Sequence, residues 1–421
     1  MPKYRKKMIL VTYSYPPFEE SHSIRTLHFS NEIARKFDCY VITIKLPKLY
    51  YKRNNPTVSL INSDVKIFRT FPGFLDWVLA LLKVYSGNTL TRLLWKFLLR
   101  IYSRIYPYNR DKFEWFQFSF KKIEDFCKEI VPDIIFASSG HPVSLLIGYK
   151  IKRKFPKAKL VLDYGDPWSL NELSPVYINK EIVSVEEEIL KSADLIIFTT
   201  EATKEKYKKV FNIDGKVIPM GVDLALFNSK KDIRINLEEK SFNIVYTGVA
   251  YGHRNLKPFL EAFIELITKE NLNLKLYLVG DISEKFRKEI NNLKLSSYVE
   301  ILGWVDYISS IEYMKRSDLL LLLGNKSSDQ IPGKVYMYLA SGRPILYLSH
   351  TLENDPTIIE VLKDFKGVYL SNYSSILDIK KNVLNAYYTY FHKCIDIYRD
   401  VDKYDWKKLS VNLIEYINSL E

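Results

Sequence analysis

The sequence predicts an α/β chain built as two doubly wound domains, each on a parallel sheet, and three observations carry that prediction. Short β-rich runs alternate with longer helical patterns over almost the whole length. The runs are continuously apolar, as strands covered on both faces are. They also fall into two series, on either side of the segment KVIPMGVD (216–223). Size agrees, since 421 residues at roughly 100–200 per domain leave room for two large domains. Apolar residues make up 47% and charged residues 26%, so the chain can bury enough surface to offset its ordering entropy, and disorder is excluded. With 15 Gly and 17 Pro a collagen-like or low-complexity architecture is excluded too.

In chain order the first series comprises MILVTY (8–13), CYVITIK (39–45), VKIFRT (65–70), DIIFAS (133–138), KLVLD (159–163) and DLIIFT (194–199). The second comprises FNIVYT (242–247), LKLYLV (274–279), VEIL (299–302), DLLLLL (318–323), PILYL (344–348) and GVYL (367–370). Between them NSKKDIRINLEEK (228–240) is polar and lacks core periodicity, which places the boundary near 224–240. The expected domains are 1–225, 226–400 and a closing helix in 401–421, where YDWKKLSVNLIEYI (404–417) carries apolar residues at helical spacing. No repeat of 20–50 residues is visible, so a solenoid is not expected.

The cysteines Cys39, Cys127 and Cys394 lie far apart, outside any CxxC or Cys/His spacing, so neither a disulfide framework nor a zinc site is expected. That usage fits a reducing, cytoplasmic compartment. The start, MPKYRKKMILVTYSYPPFEE, has an apolar run too short for a signal peptide and reads as a buried first strand. No run of about 18 apolar residues suggests a membrane span. The net charge of +13 suggests contact with something anionic: nucleic acid, a phosphorylated ligand or a membrane face.

Ligands of doubly wound sheets sit at the carboxyl ends of strands, so those loops are where chemistry is expected. In DLLLLLGNKSSDQIPGKVYMYLASGRPILYL (318–348) a helix opens near Pro332-Gly333-Lys334. Its free N–H groups, its dipole and the Lys334 ammonium would suit a diphosphate, though the segment reads equally as an ordinary helix start with an early proline. TGVAYGHRNLKPFLEAF (247–263) puts His253, Arg254 and Lys257 near another helix start without forming GxGxxG. Arg254 could clamp phosphate in a bidentate fashion, or these cations are solvated surface. LDYGDPWSL (162–170) sets Asp163 and Asp166 past a strand, where a carboxylate could orient a sugar hydroxyl or form an Asx turn before Trp168; a di-metal site is weakly supported. His141 in SSGHP (138–142) could bond a substrate or be structural. In the first loop Ser21, His22 and Arg25 sit at a helix mouth, Ser23 is a candidate cap, and His28 is expected to pack on the helix. Gly-x-Ser-x-Gly, P-loop, HExxH and Ser-x-x-Lys patterns are missing in the needed context, so hydrolase and NTPase readings lack their chemistry.

YSYPPFEESHSIR (13–25), PDIIFASSGHP (132–142), DYGDPW (163–168), ADLIIFTTEATKEKY (193–207), VIPMGVDLALF (217–227), VEILGWV (299–305), IPGKVYMYLASGRPIL (331–346) and YDWKKL (404–409) occur in an order that resembles the glycosyltransferase family 4 group of GT-B enzymes. The resemblance spans nearly the full chain. It implies two Rossmann-like domains facing an interdomain cleft, with a nucleotide-sugar donor held mainly by the second domain and an acceptor held mainly by the first. It also implies retaining transfer with no metal and no cofactor beyond the nucleotide-diphosphate sugar as co-substrate. Carried over by position, Gly248 and Arg254 match the diphosphate loop, and Gly333 with Lys334 the segment before the phosphate helix. Trp304 and Val305 would border the nucleobase, Asp329 would hold donor sugar hydroxyls, and Asp166 would lie nearest the transferred sugar on the acceptor side. The family's Glu-x7-Glu falls on Asp329 and Met337, so the carboxylate expected on the ribose hydroxyls is a thioether here. Losing that contact would cost about 1–3 kcal/mol of donor binding. Catalysis then falls to Asp166, Arg254, Lys334 and Asp329; the two cations would stabilise the departing phosphate.

The segment 72–118 interleaves leucines and aromatics with cations. From Lys83 to Lys112 it carries Lys83, Arg92, Lys96, Arg100, Arg104, Arg110 and Lys112 against the single acid Asp111. That pattern suits helices lying on anionic lipid, or core helices with snorkelling cations. No RNP, helix-turn-helix or basic-tail context supports nucleic-acid binding. The expected function is transfer of sugar to a lipid-linked or cell-surface glycan, in the cytoplasm and peripheral on the inner membrane face. The alternatives are a nucleotide-sugar epimerase and a catalytically weak, membrane-associated scaffold.

Overall fold

The computed structural model describes residues 5–47, 56–84, 97, 112–172, 178–229, 233–250, 255–325, 329–350, 356–363, 365–391 and 400–420. The chain divides into two units: Met1–Met220 together with Trp406–Glu421, and Gly221–Asp405. The breaks fall a few residues from the expected ones, at the segments 220/221 and 405/406.

The first unit is built on a seven-stranded parallel sheet of β1 (Lys7–Val11), β2 (Asp38–Ile44), β3 (Lys66–Thr70), β4 (Ile134–Ser139), β5 (Lys159–Tyr164), β6 (Leu195–Phe198) and β7 (Lys216–Val217). Its order is β3-β2-β1-β4-β5-β6-β7. The second unit has β8 (Phe242–Thr247), β9 (Leu274–Val279), β10 (Val299–Gly303), β11 (Leu319–Leu323), β12 (Ile345–Ser349) and β13 (Val368–Asn372), in the order β10-β9-β8-β11-β12-β13. Both sheets reverse direction of winding beside their first strand, β1/β4 and β8/β11, and ligand crevices of open α/β sheets form at such points. Every run named from the sequence is a strand; the central ones are covered on both faces, with residues such as Leu10, Phe136 and Leu321 fully buried, whereas β3, β10 and β13 are only partly covered.

The helix Trp406–Asn418 packs on the helix Ser21–Lys36. Trp406 is buried, stacks on His28 with ring centroids 5.5 Å apart and meets Phe29 edge-on at 5.8 Å. Within the second unit, the segment entering it and the segment leaving it run side by side, Val222 N–H donating to Tyr404 O at 2.9 Å.

Of the segment 72–118, the described parts are 72–84, 97 and 112–118; Arg92, Lys96, Arg100, Arg104 and Arg110 lie outside the described residues. The two ends are tied down. Buried Asp76 accepts from Tyr13 Oη (2.8 Å) and pairs with Lys112 (2.7 Å), while Glu114 Oε2 accepts from Leu75 N–H (3.1 Å). Lys112 is thereby turned inward, correcting its reading as a lipid-facing cation. Phe74 and Phe118 meet edge-on at 5.4 Å and remain 66% and 52% exposed. Among the described residues no helix is long and apolar enough to cross a membrane.

Burial lowers the His28 imidazole to about 3. The unfolded chain takes up a proton there near pH 6.5 and the folded chain does not, so this contribution to stability is intact above pH 6.5 and is lost as pH falls below it. We expect urea denaturation from pH 6.5 to 4 to show His28→Phe, which keeps the stack on Trp406, losing about 1.4 kcal/mol per pH unit less than the parent chain.

Candidate functional site

In the second unit the site begins with missing side chains. Gly248, just past β8, and Gly280, just past β9, have φ of +119° and +133°, a region L side chains rarely adopt. A Cβ on Gly280 would sit 2.3 Å from Gly248 O, and one on Gly248 would sit 1.9 Å from Lys334 Nζ. The glycines thus let two loops touch and open the space that the ammonium occupies. Lys334 starts the helix Lys334–Ala340, donates to Thr247 O and lies 5.1 Å above the Tyr246 ring. Tyr338, one turn on, is buried and its Oη accepts from Thr247 N–H at 3.0 Å, pinning the helix to the end of β8. Seven residues give a weak dipole, so the anion-binding character expected here rests on the lysine more than on the helix axis.

In the same unit Asp329, Gly333 and Met337 are half-buried, and Val305 likewise. Trp304 follows Gly303 at the end of β10 and is 54% exposed, leaving its indole available for stacking. His253 and Arg254 lie outside the described residues.

In the first unit the carboxyl ends of β4 and β5 carry a buried polar cluster. Asp163, with no exposed surface, is bracketed by Arg25, whose Nη2 approaches Oδ1 at 2.7 Å and Nε approaches Oδ2 at 3.0 Å. Ser138 Oγ donates to Asp163 Oδ2 at 2.6 Å and lies 3.2 Å from His22 Nε2; Arg25 Nη1 donates to Pro219 O at 2.9 Å. Burial alone would raise the Asp163 carboxyl, but Arg25, joined by His22 and Ser138, holds Asp163 below the usual carboxylate range. Burial likewise lowers the His22 imidazole, to about 4. The ring fits only because Gly140 and Gly165 lack side chains: their Cβ atoms would lie 2.7 Å from His22 Cγ and 2.6 Å from His22 Nδ1.

Asp166 follows directly and is exposed. Its loop is held from behind by Glu186, on the helix Lys180–Lys191. Ser169 N–H donates to Glu186 Oε2 (2.9 Å), Tyr207 Oη to Glu186 Oε1 (2.7 Å), and Trp168 N–H to Tyr207 Oη (2.9 Å). Burial raises the Glu186 carboxyl.

The structure corrects several expectations here. Arg25 is a buried partner of Asp163 rather than a substrate-facing cation, because its helix carries it under the end of β5. Asp163 is likewise consumed, leaving Asp166 as the exposed member of that pair. Ser23 does not cap its helix; Glu20 occupies the cap position and Ser23 Oγ donates back to Phe18 O at 2.7 Å. Ser21 is exposed and His141 half-buried, its ring edge-on to Tyr13 at 4.9 Å. Among the described residues no three His, Cys, Asp or Glu side chains gather as a metal site would need.

With both centres described, comparison with known proteins is informative. Residues 241–361 match the family model of the glycosyl transferases group 1. The match lies within the second unit and contains Gly248, Gly280, Trp304, Asp329 and Lys334. No curated protein matches the chain in sequence. Among solved structures, Anabaena HepE in complex with UDP and glucose is 15% identical, with 99% of this chain and 100% of that chain covered and a TM-score of 0.64. The sucrose-phosphate synthase of Thermosynechococcus elongatus is 14% identical, covered at 99% of each chain, with a TM-score of 0.70. A Listeria monocytogenes structure described as a putative UDP-N-acetylglucosamine 2-epimerase is 13% identical, with 99% and 96% covered and a TM-score of 0.59. At such identities the likeness shows the fold, which is GT-B.

Sequence reasoning about this group 1 segment found Gly248, Gly333 and Lys334 but missed Gly280 and Tyr338; a glycine ending the strand LKLYLV (274–279) was the available signal for the first. It also missed Glu186, whose only signal was an acidic residue on an apolar helix face. Tyr207→Phe removes the hydroxyl that serves Trp168 and Glu186 together, leaving buried polar groups unpaired. We expect it to cost about 1–3 kcal/mol in denaturant unfolding and to accelerate amide exchange at Trp168.

Proposed function

We propose that the protein is a glycosyltransferase that moves a sugar from a nucleotide-diphosphate donor to a hydroxyl of a lipid-linked or cell-surface glycan, with retention of configuration and without a metal. The observation that carries the reading is Lys334 set against glycine-lined strand ends inside the segment that matches the group 1 family. An ammonium there would balance negative charge as the sugar–phosphate bond breaks, a task of placed charge rather than of a strong base. Trp304 offers a face for the nucleobase, Asp329 a carboxylate for sugar hydroxyls, and Asp166 an exposed carboxylate for the acceptor. Uridine is the first base to test, since HepE is described with UDP.

The donor reading is tested by thermal shift with UDP, GDP and dTDP. One nucleotide should raise the melting temperature, and at one hundred times its Kd the stabilisation should reach about 2.7 kcal/mol. Lys334→Met should weaken that nucleotide at least about tenfold, as loss of a charged hydrogen bond does. No shift with any of the three would leave the scaffold reading standing, and sugar interconversion without transfer from a radiolabelled donor would favour an epimerase.

The membrane component is supported by the rings at the base of the basic segment. Phe74→Ser with Phe118→Ser changes exposed side chains only and should abolish flotation with phosphatidylglycerol vesicles while leaving the melting temperature within about 1 kcal/mol of stability. Flotation that is absent in the parent chain would remove the peripheral-membrane part of the proposal.

A further inference from the structure

Ser138 decides which nitrogen of His22 carries the proton. A serine hydroxyl has one proton to give. Asp163, ionised beside Arg25, can only accept, and its Oδ2 lies 2.6 Å from Ser138 Oγ, so that proton goes to the carboxylate. Ser138 Oγ then turns a lone pair toward His22 Nε2, 3.2 Å away, and the contact is a hydrogen bond only if Nε2 carries a proton. A neutral imidazole with a proton on Nε2 has a bare Nδ1. Among the described residues Nδ1 has no hydrogen-bond partner; it lies over Gly165, one residue before the exposed Asp166, on a half-buried ring. Asp163, Glu20 and the Ser138 backbone carbonyl favour a second proton on the ring and Arg25 opposes it; burial outweighs them and keeps the ring neutral.

We propose that His22 presents Nδ1 as a fixed hydrogen-bond acceptor for a hydroxyl of the acceptor substrate, and that Arg25, Asp163 and Ser138 are positioning residues that set this tautomer. The identity of the ligand rests on the glycosyltransferase reading; the tautomer does not. A lone pair on a neutral ring, with the ionised Asp163 nearby, admits a neutral hydroxyl and disfavours a phosphate or carboxylate oxygen.

The test uses the full chain labelled with 15N in the histidine rings, the His22 signals being assigned with His22→Gln. At pH 7.5 we expect one observable His22 ring proton, on Nε2, and its disappearance in Ser138→Ala, since an unbonded ring proton exchanges with water. Methyl glucoside should then move the Nδ1 resonance of the parent chain while acetate leaves it in place. A ring proton on Nδ1, two ring protons at pH 7.5, or persistence of the Nε2 proton in Ser138→Ala overturns the tautomer. A resonance moved by acetate, or unmoved by methyl glucoside, overturns the ligand class. Nucleotide thermal shifts read the other unit, so failure of the donor reading and failure of this proposal are separately visible.

Discussion

The first unit depends on one buried ion pair. Arg25 and Asp163 have no exposed surface and meet at 2.7 Å. Ions taken out of water in this way gain little net stability, yet removing one partner strands the other, at about 3–5 kcal/mol. The stranding cost is what makes the pair an organiser. Through it the helix Ser21–Lys36 is fixed to the end of β5, and through the Arg25 bond to Pro219 O the segment that leaves the first unit is fixed as well. Ser138 and His22 inherit their hydrogen-bond roles from it. Past the end of β5, Asp166 is exposed while this pair is not.

The second unit reaches its geometry by subtraction. Where the first unit uses a buried charge, here Gly248 and Gly280 allow backbone to meet backbone and Lys334 to reach Thr247 O. The Tyr338 hydroxyl bonds both the amide and the side chain of Thr247, so strand end and helix start are held together. With strand end and helix start pinned, the Lys334 ammonium is held in a fixed place.

The central strands were legible because total burial leaves a continuous apolar run and little else produces one. Lys334 was legible because a cation at a helix opening after a strand has a mechanical reason to be there. Arg25 was misread for an instructive reason: a helix mouth is a plausible place for a substrate cation, and only the three-dimensional position of Asp163, 138 residues away in sequence, shows that the charge is already matched. Separation along the chain also hid the role of Glu186, whose partners Ser169 and Tyr207 lie 17 and 21 residues away on other segments. Lys112 was counted among surface cations, and its partner Asp76 was equally invisible to a scan along the chain. Pairing between distant segments is the information that composition and periodicity do not carry.

The division of the chain has a consequence for biosynthesis. Residues 221–405 form the second unit, while Trp406, buried in the first, is made only after them. On a ribosome the second unit is therefore finished before the first can close over His28 and Phe29. The nascent first unit waits through the whole synthesis of its neighbour with an apolar groove unfilled, a natural point of engagement for a chaperone.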